Sequence, residues 1–304
     1  MEGRLTIVDK VLAAIQEVAG VVDANRSKAW IEQARACEDV AQVVRRLGGA
    51  VAERLSNELS SFPIHDPLRM TWNPMRMLDR QDDEPAWTRW LANLFRLPMA
   101  GTIAWSCFCK TVAASIESQT VENGEWLATP TDWMAAAEVA IQPHCILTER
   151  ATGDGGFMDI TVESGKLLVV VENKLWEGWH DRPDISQDCS YKRWARRATT
   201  GDQRVGLVYL SAYEADQEVQ RRDWAFITWA KLAQALRRAL RGRFQESPIQ
   251  EALAPLWHTI AGVEQDLLGF RLDALMQDFS KGASWRRLDV LARITNHLEE
   301  SDGE

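Results

Sequence analysis

Lysine is scarce in this 304-residue chain, where Lys10, Lys28, Lys110, Lys166, Lys174, Lys192, Lys231 and Lys281 are the full set. Positive charge is in deficit as a whole: 35 Lys and Arg against 44 Asp and Glu leave a formal net charge of −9. Such a chain lacks the general basic surface that draws a protein to polyanions, so any polyanion would have to meet a local basic channel or a partner's surface. Local basic groups do exist, at Lys192, Arg193, Arg196 and Arg197, at Arg221 and Arg222, and at Arg237, Arg238, Arg241 and Arg243. Each such cluster is more often a solvated helix face than a binding surface, and basic residues in a last turn also complement the helix dipole. The five cysteines, Cys37, Cys107, Cys109, Cys145 and Cys189, are odd in number and have no C-x-x-C spacing, which excludes a disulfide framework and a zinc site and predicts buried free thiols. No apolar run approaches the length that crosses a bilayer, and the N-terminus MEGRLTIVDK has no signal-peptide pattern. A cytoplasmic protein with no membrane partner is expected.

What is present is a hydrophobic content of 46%, enough for one sizeable domain with helical additions or for two domains. Within it, Gly155 to Tyr191 carries the chemistry. Phe157 to Glu163 is rich in β-branched and apolar residues, Ser164-Gly165 is a turn signal, and Leu167 to Val171 is an unbroken apolar run suited to a strand buried on both faces. With Ser164 and Gly165 as a two-residue loop, Glu163 pairs with Lys166 and Asp159 falls opposite Val170. Side chains alternate with period two, so Asp159, Glu172 and Lys174 converge on one face.

Two carboxylates that close, in an apolar sheet, call for a cation to offset their repulsion and desolvation. Mg²⁺, with Mn²⁺ as a substitute, fits: it prefers oxygen ligands, keeps several waters and uses one or two carboxylates plus a substrate phosphate. Lys174 would stand beside it and stabilise charge developing on that phosphate. It alone among the lysines has an acidic residue two positions before it. The competing reading is a surface ion pair between Glu172 and Lys174 where the strand leaves the sheet. Asp159 inside an apolar strand argues against that, because Asp is depleted in strands and rarely buried unpaired.

Asp159, a hairpin, then Glu172-Asn173-Lys174 resembles the PD-(D/E)XK nuclease superfamily, and Gln187 to Tyr191 resembles the Gln-x-x-x-Tyr motif of its RecB and lambda-exonuclease-like branch. The resemblance continues upstream to an acidic helix, Asp83-Glu84 opening Pro85 to Leu97. Downstream it takes in a fourth strand, Val205 to Ser211, and a last strand with its helix, Trp224 to Leu240. It departs at Met158, where the superfamily name has proline, and at Phe157, where related sequences often carry an arginine. It implies an α/β, restriction-endonuclease-like core with a mixed central sheet flanked by helices over residues 76–243, between helical regions at 1–75 and 244–304. It implies metal-dependent hydrolysis of phosphodiester bonds, in DNA by analogy, and defence or restriction of foreign DNA as a setting. Asp159, Glu172 and Lys174 would be catalytic, and the metal would be held by Asp159, Glu172, the Asn173 backbone carbonyl and Glu84. Gln187 and Tyr191 would position substrate. On that reading, removing Lys174 abolishes cleavage and leaves folding and metal binding largely intact. The alternative is a non-catalytic member of the same fold acting as a binding or assembly module.

Elsewhere, Glu84, Trp87, Leu91 and Leu94 share one helical face, which aims the Glu84 carboxylate toward the sheet or leaves it as a first-turn residue favoured by the helix dipole. Helices are predicted from Ile103 to Ser118 and Asp132 to Ala140, and a first strand from Cys145 to Glu149 with Glu149 as a further ligand candidate. Trp176 to Pro183 is a loop beside the site whose aromatics stack on bases or pack on the sheet; His180 in it is too weakly placed to be catalytic. Asp184 caps the helix bearing Gln187 and Tyr191, which lie on one face, with core packing as the alternative for Tyr191. Residues 1 to about 62 read as helices offering a dimer or partner surface, and Ser60 to Pro74 reads as a connector. Ile249 to Leu268, Leu272 to Phe279 and Trp285 to Leu298 read as helices.

Overall fold

The computed structural model describes residues 67–70, 73–118, 127–153, 156–175, 187–213, 223–241 and 247–271, with scattered positions at 38, 42 and between 290 and 300. The chain divides into two compact units, Met1–Pro63 with Leu272–Asp289, and Ile64–Arg271 with Val290–Glu304. The second holds the sheet. The expected helices of residues 1–62 and of Leu272 to Phe279, and the loop Trp176 to Pro183 with His180, lie outside the described residues. So do Asp184, Cys37, Arg221, Arg222, Arg243 and part of Trp285 to Leu298.

Five strands form one mixed sheet in sequential order: β1 (Ile146–Ala151), β2 (Phe157–Ser164), β3 (Leu167–Lys174), β4 (Arg204–Ser211) and β5 (Ala225–Thr228). β1, β2 and β3 pair antiparallel, and β3, β4 and β5 pair parallel. The apolar run places β3 in the middle, and all eight of its residues are buried. The β2–β3 loop is Gly165-Lys166, one residue later than the turn signal suggested: Ser164 pairs with Leu167, Glu163 with Leu168 and Thr161 with Val170. Gly165 has φ +56, and a positive φ at the first of two loop positions is what a type II′ hairpin asks of glycine. Asp159 is therefore not opposite Val170. It stands one step beyond the last ladder pair, Ile160 and Val171, at the level of Glu172. Moving the loop by one residue changes each pairing by two, so the parity that keeps the acids and the lysine together survives.

Helices cover both faces. On one side α5 (Gln187–Ala198) sets Tyr191 and Ala195 against Met158, Val170, Leu207 and Tyr209. On the other, α2 (Glu84–Arg96), α3 (Pro98–Ser118), α4 (Pro130–Ala137), α6 (Trp229–Leu240) and α7 (Ser247–Gly262) pack on Ile160, Val162, Val169, Val171, Val208 and Leu210. Before them, Pro67–Arg69 is a 3₁₀ turn and Pro74 opens the one-turn α1 (Pro74–Met77) in what reads as connector. Asp83 caps α2, its carboxylate accepting the Ala86 N–H at 3.1 Å, and Trp87, Leu91 and Leu94 form the buried stripe. α3 starts five residues before the expected Ile103 because Pro98 is pre-organised for a first helical turn. Thr129 and Asp132 form a capping box that starts α4 at Pro130. Trp133 of α4 packs on Gly206 of β4: a Cβ there would run into the indole ring, so glycine is what lets helix and strand approach.

By length and composition α3 could cross a membrane, contrary to the expectation that no segment could; 61% of its apolar window is buried within the protein. The thiols also depart from expectation. Cys107 and Cys109 are buried thiols outside any disulfide, but Cys145 is half-buried and Cys189 exposed, since α5 turns Gln187 and Tyr191 inward and Cys189 away. Beyond α7, the π-helical turn Val263–Leu267 carries Glu264, which is wholly buried. Arg237 grips its carboxylate through two bonds of 2.5 and 2.6 Å, and His297 Nε2 lies 3.0 Å from it. Burial pushes Glu264 up, but Arg237 and His297 outweigh it and hold the carboxyl below its ordinary range.

Candidate active site

The site begins where the regular alternation of β1 and β2 fails. Met158 packs with the α5 side of the sheet, whereas Ile160 and Val162 pack with the other side, although all three are even-numbered on one strand. Across from this step, Glu149 of β1 adopts a left-handed φ of 53°, between the ladder pairs Thr148–Ile160 and Arg150–Met158. Arg150 follows Met158 to the α5 side and lies 4.7 Å over the Trp194 ring. Asp159 thus sits at a slip in the pleat, the kind of irregularity that re-aims a side chain. Its Oδ2 accepts the Asn173 N–H at 2.7 Å, taking the place a backbone carbonyl would hold had the ladder continued. β geometry turns the Asn173 carbonyl, the expected backbone ligand, to the same side as that N–H. Glu149, the further ligand candidate, points to solvent, 59% exposed and 3.6 Å from Arg89.

Glu172 and Lys174 are two apart on β3 and share the α5 face. Lys174 Nζ lies 2.6 Å from Glu172 Oε1 and donates to Glu84 Oε1 at 3.1 Å. Glu84 comes from α2, on the far side of the sheet, so its carboxylate reaches over the end of β3; its other oxygen accepts the Leu175 N–H at 3.1 Å. Both Glu84 oxygens are therefore engaged in holding β3 and its lysine. From α5, Gln187 Nε2 donates to Glu172 Oε1 at 2.8 Å and to the Tyr191 hydroxyl at 2.6 Å, and that hydroxyl donates to the Phe157 carbonyl at 2.5 Å. Tyr191 is wholly buried. Its ring packs in the core, the alternative to positioning substrate, and its hydroxyl faces inward toward Gln187 and Glu172.

The electrostatics follow from this packing. Burial, then the neighbouring Glu172 charge, hold the Asp159 carboxyl well above the usual range, against the pull of Lys174 and the Asn173 N–H. Burial likewise raises Glu172, opposed by Lys174. Lys174 is pulled down by its own burial, but Glu172, Asp159 and Glu84 more than reverse this and keep it an ammonium. Burial and the Glu172 charge together push the Tyr191 phenol upward.

One atom is left over. Among the described residues the buried Glu172 Oε2 has no hydrogen-bond partner, a costly condition for a carboxylate oxygen. Such an oxygen at the level of the half-buried Asp159 carboxylate suits a hard cation. Among the described residues no three His, Cys, Asp or Glu side chains gather into a ready-made cage; what the site offers is Asp159, Glu172 and backbone oxygen, a donor set for an ion that keeps much of its water, as Mg²⁺ does.

No family model, curated protein or solved structure matches this chain. The case for its chemistry therefore rests on its own residues.

Sequence reasoning missed the support under Asn173. Its side chain faces the α2 side, donating to Thr88 Oγ1 at 3.1 Å and accepting the Trp229 indole N–H at 2.9 Å. A buried tryptophan N–H needs an acceptor. That need was the one available signal, but the partner lies 56 residues away. The basic groups also fare differently from expectation: Lys192 is paired with Asp188 at 3.0 Å and Asp223 at 2.5 Å, and Arg237 is committed to Glu264.

Proposed function

We propose that this protein is a metal-dependent nuclease with a restriction-endonuclease-like core, hydrolysing phosphodiester bonds in DNA in the cytoplasm. The observation that carries the reading is the buried Glu172, one oxygen tied to Lys174 and Gln187 and the other with no partner among the described residues, at the level of the half-buried Asp159 carboxylate. The strand order, an antiparallel meander followed by a helix and a parallel strand, supports the same reading. Asp159, Glu172 and the Asn173 carbonyl would hold Mg²⁺ or Mn²⁺, and Glu84 would hold Lys174. When bound, the cation would supply charge neutralisation at the phosphate and a more acidic water.

The chain's own part is positional and electrostatic. Gln187 fixes the Glu172 carboxylate through Oε1 and so leaves Oε2 for the ion. Glu84 keeps the Lys174 ammonium at the end of β3, where it stabilises negative charge building on a phosphate oxygen. Defence against foreign DNA remains a setting suggested by analogy alone.

The test is cleavage of linear, circular and single-stranded DNA by purified protein in Mg²⁺, Mn²⁺ or EDTA, with Glu172→Ala as control. Metal-dependent cleavage lost in the variant is expected. A non-catalytic assembly module is the second reading, favoured by the closed Lys174–Glu172–Glu84 ion cluster and the net charge of −9. Absence of cleavage on every substrate, with folded protein and bound metal, would decide for it.

A further inference from the structure

Away from the candidate site, α3 and α6 border a cleft of about 670 Å³, a volume in the range of small-molecule pockets. Two bonds fix how the helices run past each other. Ser115 Oγ donates to the Phe226 carbonyl at 2.5 Å, and Cys107 Sγ to the Ala235 carbonyl at 3.6 Å. Numbers therefore rise along α6 as they fall along α3, so the two helices are antiparallel. Counting from Cys107 and Ala235 sets Lys110 level with Leu232 and Thr111 level with Lys231. The two lysines of the cleft thus stand within one residue of the same height on opposite walls, and their flexible four-carbon stems let both ammoniums reach one anion.

The charge of the cleft runs against that of the chain. Lys110, Lys231 and Arg238 line it against one carboxylate, Glu300, whose Oε2 accepts from Gln234 at 2.8 Å. Other lysines among the described residues are held by acids: Lys166 by Asp202, Lys174 by Glu172 and Glu84, Lys192 by Asp188 and Asp223. Lys110 has only Glu138, 3.8 Å away with both side chains more than half exposed, and neither Lys231 nor Arg238 has an acidic partner among the described residues. Two ammoniums facing across a cleft repel each other, and an anion between them relieves the repulsion. A phosphate monoester, at about −1.5 to −2 near pH 7, matches the pair better than a singly charged carboxylate. From the lysines toward Arg238 the lining is Cys107, Ala235, Ala239 and Ile103, small or apolar side chains that leave room for an apolar body. We infer that this cleft binds a small organic phosphate monoester, its phosphate between Lys110 and Lys231 and its apolar body along the floor toward Arg238. The inference is independent of the nuclease reading, since neither Asp159, Glu172, Lys174 nor Gln187 lines the cleft.

Nucleotides and alkyl phosphates share this chemistry, so the experiment is isothermal titration of the full chain with AMP, octyl phosphate and inorganic phosphate, in EDTA at neutral pH and low salt. One of the two monoesters is expected to saturate a single site, about tenfold or more tighter than inorganic phosphate because its body is buried. Whichever binds names the source. Lys110→Met and Lys231→Met should each weaken it about 10- to 150-fold, the range for a hydrogen bond to a charged group. Both side chains are exposed, so these variants should melt with the wild type when no ligand is present. Lys231→Arg should bind within a few-fold of wild type, and so should Lys166→Met, which removes an equal charge from the β2–β3 loop. No saturable binding of either monoester, inorganic phosphate bound as tightly as both, or wild-type affinity in both methionine variants at the cleft overturns the inference. An equal loss in Lys166→Met also does so, because the effect is then one of net charge and not of a site.

Discussion

Lys174→Met tests the ion cluster most directly, because methionine keeps the apolar stem and removes only the ammonium. The Lys174 side chain is 5% exposed, so its charge is not a surface charge that water replaces. Without it, Glu172 loses its 2.6 Å partner while already carrying one orphaned oxygen, and Glu84 keeps only the Leu175 N–H. Removing one side of a buried pair costs about 3–5 kcal/mol. For a domain of about 150–250 residues each kcal/mol moves the melting temperature by about 2–4 °C, so a fall of roughly 6–20 °C is expected in EDTA at pH 8. The buried ion pairs thus argue for a folding cost where the resemblance alone implies folding left largely intact. Mg²⁺ supplies the missing positive charge: at about 100 times its Kd it restores about 2.7 kcal/mol. Thermal unfolding followed by tryptophan fluorescence, with EDTA and then with Mg²⁺, reads both effects. A variant that melts with the wild type in EDTA at pH 8, or one whose loss Mg²⁺ does not reduce, would refute the view that Lys174 is the counter-charge of a cation-ready carboxylate pair.

Three more outcomes follow from the same geometry. Tyr191→Phe removes the donor to the Phe157 carbonyl and the acceptor for Gln187, and should cost about 1–3 kcal/mol in urea unfolding; because it frees Glu172 to wander, cleavage should fall in kcat while DNA affinity holds. Glu264→Ala leaves the Arg237 guanidinium buried without its carboxylate and should lose about 3–5 kcal/mol in the same assay, with no dependence on Mg²⁺. In EDTA the melting temperature should rise as pH falls from 8 toward 5, since the folded carboxyl groups of Asp159 and Glu172 titrate above their unfolded values of about 3.9 and 4.3 and their contribution is lost as pH climbs through the raised range. Below about pH 4 it should fall again as Glu264, held low, takes up its proton. Asp159→Asn should flatten the first limb and leave the second; an unchanged first limb in that variant would show the titration to lie elsewhere.

Much of this architecture was readable from residue pattern. The run Leu167 to Val171 announced a strand buried on both faces, the stripe Trp87, Leu91, Leu94 announced the packed face of α2, and the four-residue spacing of Gln187 and Tyr191 put them in contact. What escaped is of a particular kind. The hairpin loop hinged on which loop position needed a positive φ, and both Ser-Gly and Gly-Lys can supply a glycine. The slip at Asp159 escaped because two irregularities, one in each strand, cancel in the register and leave no mark in either sequence. The burial of Lys174 escaped because its second partner, Glu84, lies 90 residues away, and a lone lysine at a strand end otherwise reads as solvated. The loss of Lys192 and Arg237 from the basic inventory has the same origin, in acids that only the tertiary fold brings close.

Three consecutive residues of β3 are thus each gripped by a different part of the protein. Glu172 is held from α5 by Gln187, Asn173 from the opposite face by Thr88 of α2 and Trp229 of α6, and Lys174 by Glu84 over the strand end. Asp159 joins the group through the Asn173 N–H, so the spacing between the two carboxylates is set by a backbone bond rather than by a side chain free to rotate. A carboxylate pair with raised affinity for protons would ordinarily relax by turning one member away. Here neither can turn without breaking a hydrogen bond that also anchors a helix or closes the sheet. The strain of bringing like charges together is therefore carried by the packing of both faces.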